Sequence, residues 1–426
     1  MIANVSLREL TIESAKIGVL GFGGPAGQIA LMHRLFVEEK KWIDEVRYLH
    51  ALNYCMLLPG PEAQQLAVYV GWLVNGVLGG IVAGALFVLP GALVIFALSW
   101  LYAAHGEAPA VAALFWGVKA AVAAIVAEAA LRIGRRALKS RADLAIAGAA
   151  FVALFFFGAP FPFVIVAAAA VGVARAARPI SSPAGGGGTR ATDSNATLVA
   201  AIAAAVFWLA PVALAFLLLG PDHVLSRVGL LFSKLAVVTF GGAYAVLAYL
   251  QQQAVEAEHW LTAAQMIDGL GLAETTPGPL VLVNQYVGFL AGWNAGGLGL
   301  AALCALMASW CTFAPSFLWI FAGAPFAERL RENRYAEAAL RSITAAVLGV
   351  IANLALWFAL HIFFARGTMA ATFWGHRLFA PDLASLDPAA AALAVAAGVA
   401  LVRFKANMLL VIALCAGAGI VRMLIA

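Results

Sequence analysis

Glycine- and proline-rich motifs interrupt two apolar segments in the first half of the chain, and their chemistry suits anion binding. They are Phe22-Gly23-Gly24-Pro25 and Pro59-Gly60-Pro61. Glycine permits a tight turn and a close approach of the backbone to a ligand, and proline suits the start of a returning helix, where its missing N–H costs nothing. A helix that begins at such a break directs its free N–H groups and its positive dipole end at the ligand. These residues therefore predict an anion site built from interrupted helices.

The same motifs recur in the second half of the chain. Phe240-Gly241-Gly242 and Pro277-Gly278-Pro279 repeat them, and Trp260 repeats Trp42. The position pairs 22 and 240, 42 and 260, and 59 and 277 all differ by 218. Glycines could also serve only close helix packing, but repetition of the whole set favours a site where the two copies meet.

Three lysines could bring positive charge to this site. Lys16 and Lys234 each lie six residues before the Phe-Gly-Gly motif of their copy, whereas Lys119 lies in the middle of an apolar segment. Lys16 and Lys234 could instead snorkel to the membrane surface, which is harder for Lys119, where an unpaired charge is costly. The predicted substrate-binding residues are Lys16, Phe22, Gly23, Gly24, Pro25, Pro59, Gly60, Pro61, Gln64, Gln65, Lys119, Lys234, Phe240, Gly241, Gly242, Thr276, Pro277, Gly278, Pro279 and Asn284.

Two carboxyl groups flank the Pro-Gly-Pro motifs. Glu62 directly follows Pro61, and Glu274 lies three residues before Pro277. Ionised carboxylates there would repel an anion, but a buried carboxyl can instead carry a proton. Glu274 and Glu62 are therefore the candidates for a coupling group, with Glu274 favoured because it lies in the apolar approach to the motif.

The composition indicates an integral membrane protein. The chain is 64% hydrophobic and 11% charged, far from the balance of a soluble globular domain. Several apolar runs reach the roughly 20 residues that a membrane-spanning helix needs, which favours helices over barrel strands. The runs are residues 78–101, 109–130, 196–219, 296–323 and 338–364.

No residue pattern indicates cofactor, metal or nucleic-acid binding. The cysteines Cys55, Cys304, Cys311 and Cys415 lie in apolar segments without metal-ligand spacing, so they are predicted to be small core residues. No P-loop motif is present, which disfavours direct use of ATP. The net charge of +5 comes from clustered loop residues and serves as a topology signal.

The basic loops predict how the chain threads the membrane. Residues 6–41 and 43–76 each break at a motif, and either re-entrant hairpins or long broken spans would fit. Basic residues between them place both ends, and the N-terminus, on the cytoplasmic side. The equivalent loop of the second copy, from Gln251 to Asp268, has no Lys or Arg and is predicted to be external. The two copies should therefore be inverted.

The fold class expected is an all-α polytopic membrane protein with two inverted-topology repeats, each containing two broken or re-entrant hairpins plus spanning helices. Residues 1–176 form the first repeat, and residues 177–195, with four consecutive glycines, form a flexible cytoplasmic linker. Residues 196–224 add a spanning helix that inverts the second half. Residues 225–426 form the second repeat.

These motifs resemble the chromate ion transporter (CHR) family in its long, two-domain form. The resemblance rests on the segment from Lys16 to Pro25, on Leu57-Leu58-Pro59-Gly60-Pro61, on Tyr69-Val70-Gly71 and on their second copies. It departs at one place, where Ala243 replaces the proline found at Pro25. The resemblance implies export of chromate, with sulfate as a similar oxyanion, from the bacterial cytoplasm across the inner membrane.

The expected function is therefore secondary transport of an oxyanion by alternating access, with no enzymatic activity. Energy would come from the membrane potential, from protons or from antiport of a counter-anion. An anion channel is an alternative, since broken helices also build selectivity filters, and an intramembrane enzyme acting on a lipid phosphate is a weaker one. The partners expected are the oxyanion and the lipid bilayer, and a homodimer is left open.

Overall fold

A computed structural model describes residues 5–176, 194–240, 242–323, 334–371 and 377–425. The helices of the first half are α1 (Leu7–Leu20), α2 (Gly24–His33), α3 (Glu45–Cys55), α4 (Glu62–His105), α5 (Pro109–Ala137), α6 (Arg141–Phe157) and α7 (Phe161–Ala176). Those of the second half are α8 (Ser194–Leu219), α9 (Val224–Val238), α10 (Ala243–Gln251), α11 (Ala263–Thr275), α12 (Val283–Gly323), α13 (Arg334–Phe363), α14 (Pro388–Val402) and α15 (Met408–Ile425).

The protein is an all-α polytopic membrane protein. Six helical segments of the described chain are long and apolar enough to cross a bilayer. They are Glu62–His105, Pro109–Ala137, Ile202–Leu219, Leu280–Gly323, Arg334–Phe363 and Met408–Ile425. The four cysteines are buried and free, as the sequence predicts.

Tight reversals divide the two longest helical segments. Within α4, Asn75 and Gly76 leave the helical conformation, and within α12 Gly296 and Gly297 do the same. A Cβ on Gly71 would collide with the main chain of Gly79, so the chain folds back on itself at the first break. Each long segment is thus a short helix followed by a spanning helix, which agrees with the predicted boundary near residue 76.

Local conformation repeats along with the sequence. A π-helical turn at Arg34–Glu39 follows α2, and another at Gln252–Ala257 follows α10, again 218 positions later. After each turn one residue adopts a left-handed conformation, Lys41 with φ 51° and His259 with φ 53°. The repeat is therefore structural as well as sequential, while the inversion of its two copies stays a prediction.

The described residues group into two compact units that do not follow the two halves of the sequence. The first unit takes its residues from Met1–Trp100, Pro179–Ala243 and Thr276–Ala336. The second takes them from Leu101–Arg178, Tyr244–Thr275 and Glu337–Ala426. All four glycine-containing motifs therefore belong to the first unit.

Glycines allow the helices of each unit to pack closely. In the first unit, a Cβ on Gly18 of α1 would collide with the carbonyl of Leu86 on α4. In the second, a Cβ on Gly117 of α5 would collide with the carbonyl of Cys415 on α15. Small residues at such contacts are typical of membrane helix packing.

A short β-hairpin was not expected from the sequence. Strands β1 (Gly367–Ala371) and β2 (Arg377–Pro381) pair antiparallel in a region predicted only as an outer loop. The predicted linker, residues 177–195, lies outside the described residues except for its last two positions, which begin α8.

Candidate functional site

Reciprocal hydrogen bonds join the motifs of the two copies within the first unit. The N–H of Gly278 donates to the carbonyl of Gly21 over 3.0 Å, and the N–H of Gly60 donates to the carbonyl of Thr239 over 3.0 Å. Positions 21 and 239 differ by 218, as do positions 60 and 278. Each Pro-Gly-Pro motif is therefore bonded to the turn of the other copy, and both of the pairs formed in this way lie in the first unit.

The N-terminus of α2 is open. Gly23 has φ 86° and Gly24 has φ 69°, and no side chain caps the helix. A Cβ added at either glycine would meet no described atom within 4 Å. Pro25 is the second residue of the helix. Because the first N–H groups of a helix lack internal partners and lie at the positive end of its dipole, this end can accept an anion.

The corresponding turn of the second copy, at Gly242, lies in different surroundings. A Cβ on Gly242, which has φ 97°, would lie 3.8 Å from Oε1 of Glu62. Glu62 forms no hydrogen bond or ion pair with any described residue. The carboxyl group of Glu62 therefore lies beside the second turn, whereas no described atom lies within 4 Å of a Cβ at Gly23 or Gly24. Gly241 lies outside the described residues, and Phe22 and Phe240 are partly exposed.

Amide side chains near the motifs donate to protein groups. Gln65 donates to the carbonyl of Pro59 over 2.7 Å, and Gln64 donates to that of Phe313 over 3.4 Å. Asn284 donates to the hydroxyl of Thr312 over 3.0 Å. These donors were predicted to bind substrate, but in this structure they hold the backbone and neighbouring side chains. Thr276 is also buried.

The paired lysines lie in unlike surroundings. The ammonium of Lys16 contacts the carboxylate of Glu13 at 2.9 Å, and Lys40 contacts the same carboxylate at 3.1 Å. Glu13 is buried. Lys234 is exposed and forms no ion pair with a described residue. Of the two, only Lys234 therefore has a positive charge that no carboxylate partly neutralises.

Lys119 belongs to the second unit and contacts a buried carboxylate. Its ammonium lies 3.4 Å from Asp268 Oδ1, and the hydroxyl of Tyr102 donates to Asp268 Oδ2 over 2.8 Å. The placement of Asp268 at the end of an external loop was wrong, since it lies inside α11 and is 4% exposed. Close packing of α11 on α5, where a Cβ on Gly271 would collide with Val118, brings the pair together.

Glu274 is buried at the end of α11 in the second unit. Its Oε1 accepts a hydrogen bond of 2.8 Å from the hydroxyl of Tyr244. Arg132 and Glu128 of α5, which contact each other at 3.4 Å, act on it electrostatically. Burial makes ionisation of such a group costly, so its surroundings suit a carboxyl that binds and releases a proton.

Gln28 was missed in the sequence. It is fully buried, and its Nε2 lies 3.0 Å from the carbonyl of Gly21 and 2.6 Å from that of Gly278. It therefore bridges the two motifs directly. The available signal was a polar residue on an apolar segment four positions after Gly24, with Val246 as its repeat equivalent.

Apolar spanning helices and interrupted helices that meet within one unit define a class of helical membrane protein to which many transporters belong. The profile of the family described as "Chromate transporter" matches residues 8–173 and 226–420. This chain belongs to that family, whose members are transport proteins and not enzymes.

The similarity between this chain and its relatives extends over most of the length of each relative. A chromate transport protein of Pseudomonas aeruginosa is 34% identical over 82% of this chain and 80% of its own. One from Cupriavidus metallidurans is 30% identical over 81% of each chain. A probable chromate transport protein of Synechococcus elongatus is 29% identical over 82% of this chain and 83% of its own. No solved structure matches the chain.

Proposed function

We propose that this protein is a secondary transporter that exports chromate across the cytoplasmic membrane of a bacterium. The names of the relatives support chromate as the substrate. The observation that carries the proposed site is the set of reciprocal hydrogen bonds between each Pro-Gly-Pro motif and the turn of the other copy, one of which lies just before the open N-terminus of α2. Gly23 and Gly24 leave room there for an oxyanion to approach the main chain.

The proposed binding uses backbone N–H groups that have no partner within their own helix. The first N–H groups of α2 would bind the oxygens of the anion, and Lys234 is proposed to add positive charge. Donors held by the backbone need not reorganise when the ligand arrives. The amides of Gln64, Gln65 and Asn284 act indirectly, by fixing the backbone and neighbouring side chains around the motifs.

The driving force is consistent with export. An anion that leaves a negative-inside cell is helped by roughly 2.3 kcal/mol per unit of charge for each 100 mV. We propose that exchange for protons or for a counter-anion adds to this, with Glu274 as the first candidate for the coupling group and Glu62 as the second. Alternating access between inverted repeats is the mechanism we propose, and sulfate is the second oxyanion to be tested.

The experiment is uptake of chromate and sulfate into everted vesicles. Gly24→Leu should abolish chromate uptake, because it places a side chain at the open helix end and strains a left-handed residue. Gly148→Leu is the matched control, since Gly148 is exposed on α6 and a Cβ there meets no described atom within 4 Å. Normal uptake by Gly24→Leu would show that the anion binds elsewhere.

The same vesicles separate a carrier from a channel. A carrier should show saturable uptake that a counter-anion on the opposite side stimulates. Flux that rises in proportion to chromate concentration and ignores the opposite side would instead indicate a channel.

A further inference from the structure

Gln28 lies at the contact between the first turn and the second Pro-Gly-Pro motif. It is the fifth residue of α2, and its side chain reaches back toward the N-terminus of the helix, the direction that helical side chains favour. Its Nε2 contacts the carbonyls of Gly21 and Gly278. Its amide is thus held beside Gly21, in the turn that precedes α2.

Chemistry fixes which way this amide points. A backbone carbonyl can only accept a hydrogen bond, so the atom of Gln28 that faces both carbonyls must be the nitrogen. The position of the side-chain oxygen is then fixed as well. Oε1 of Gln28 is buried and has no hydrogen-bond partner among the described residues.

An unpaired buried acceptor is costly. The second copy avoids this cost, because its equivalent position is Val246. An acceptor in one copy alone is not needed to form the repeat. It is therefore available to a ligand that brings a hydrogen-bond donor.

A fully deprotonated oxyanion cannot supply that donor, since all its oxygens are acceptors. An oxyanion that retains one hydroxyl group can do so. Its bare oxygens would accept from the N–H groups at the start of α2, and its hydroxyl would donate to Gln28. The N–H donors at the start of α2 thus suit the bare oxygens of such an ion, and the acceptor on Gln28 suits its hydroxyl group.

We propose that Gln28 is a specificity-determining residue that selects oxyanions carrying one hydroxyl group, so that the transporter binds hydrogen chromate in preference to sulfate. The inference rests on the proposed function. Near neutral pH, chromate exists partly as the hydrogen form, whereas sulfate is fully deprotonated. The difference in protonation gives a physical basis for separating two tetrahedral oxyanions of similar shape.

Equilibrium binding of radiolabelled chromate to the purified protein in nanodiscs tests this without any transport step. The Kd for total chromate should rise by about tenfold per pH unit once the hydrogen form is scarce, because one proton enters with the anion. Arsenate, which keeps a hydroxyl at neutral pH, should compete better than selenate, which has a similar size and none. A Kd that does not depend on pH, or equal competition by these two ions, would overturn the proposal.

A substitution of Gln28 tests whether this residue causes the preference for an ion that carries a hydroxyl group. Gln28→Met keeps the size of the side chain and removes the acceptor, so it should bring the Kd values of arsenate and selenate within about twofold of each other. Asn75→Leu is the control, because Asn75 also donates to a carbonyl, that of Val5, and has an unpaired oxygen at the α4 reversal, away from the motifs. The control should keep the preference for arsenate.

Titratable groups of the first unit can also make the Kd depend on pH, so their effect must be distinguished from protonation of the ligand. Glu13, Lys16 and Lys40 form one group, His33 contacts Glu38 and Glu45, and Glu62 lies beside Gly242. None of them bonds to Gln28. If Glu62→Gln removed the pH dependence of the Kd, the proton would belong to the protein and the proposal would fall. If the wild type bound and moved no chromate at all, the proposed function itself would fail.

Discussion

The N–H of Gly278 in the second copy donates to the carbonyl of Gly21 in the first copy over 3.0 Å. The equivalent contact, at positions displaced by 218, has its donor in the first copy and its acceptor in the second. In the repeat of this contact, Gly60 donates to Thr239. Such an exchange is what two related copies produce when each reaches across to the other. Each contact holds one Pro-Gly-Pro motif against the turn of the other copy, and such a fixed relation between segments is a property that a binding site needs.

The reciprocal contacts predict matched effects of two substitutions. Gly60 has φ 108° and Gly278 has φ 91°, so Gly60→Ala and Gly278→Ala should each cost about 1–2 kcal/mol in backbone strain. Because the strain lies at the contacts, both variants should lower chromate uptake severalfold at unchanged expression. Gly148→Ala, in a regular helix, should leave uptake unchanged. Wild-type uptake in both variants would show that the contacts are dispensable.

The sequence predicted the elements that local chemistry controls. The breaks at Gly23 and at Pro59 are visible because glycine and proline have strong local preferences. The fixed displacement between copies then predicted a site between the copies, and in the structure each Pro-Gly-Pro motif bonds to the turn of the other copy within the first unit. Apolar run length likewise predicted five of the six spanning segments, and Met408–Ile425 was not among the predicted runs.

The sequence could not predict which side chains pair across helices. Asp268 was placed at the end of a loop because the segment from Gln251 to Asp268 is the repeat equivalent of the basic loop of the first copy, yet close packing of α11 on α5 buries it beside Lys119. Gln28 was missed for the same reason, since its partners include Gly278, 250 positions away. The β-hairpin after α13 depends on backbone pairing that composition does not show.

The Lys119 and Asp268 pair predicts a rescue by double substitution. Removing one member leaves the other charge buried and unpaired, which typically costs about 3–5 kcal/mol. Because the side chain of Lys119 is 25% exposed, we expect about 2–3 kcal/mol for Lys119→Met or Asp268→Asn alone, and recovery in the double variant. Thermal unfolding in detergent would measure this.

Uptake by the double variant decides the role of Lys119. If Lys119 serves only to neutralise Asp268, the stable double variant should carry chromate at near the wild-type rate. A stable double variant without chromate binding would instead support the sequence-based prediction that Lys119 binds the anion.

Glu274→Gln tests proton coupling. The amide keeps the size of the carboxyl but cannot exchange a proton, so chromate uptake driven by an imposed pH gradient should depend less steeply on that gradient, by the proton that Glu274 carries, while the Kd for chromate stays within about twofold. Tyr244→Phe removes the hydrogen bond to Glu274 and should shift the pH dependence without abolishing it. Gradient-driven uptake by Glu274→Gln equal to that of the wild type would exclude this role and direct attention to Glu62.

Acid stability of the second unit should depend on Asp143, which lies at the start of α6 outside the spanning segments. Burial alone would raise its pKa, but hydrogen bonds from Arg341, Ser140 and Arg175 outweigh burial and lower the pKa from 3.8 to about 2. A lowered pKa stabilises the folded state above pH 3.8, and this contribution is lost as the pH falls through about 2. Since both arginines are partly exposed, at 36% and 48%, the contribution should be about 1–2 kcal/mol.

Asp143→Asn should therefore lower the melting temperature by several degrees at pH 7 and by much less at pH 2. The matched control is Asp382→Asn, because Asp382 caps a short 3-10 helix at an exposed site and forms no ion pair with a described residue. Melting curves of the detergent-solubilised protein at both pH values would show the difference. An equal loss at pH 7 and pH 2 would mean that Asp143 acts through packing rather than through its charge.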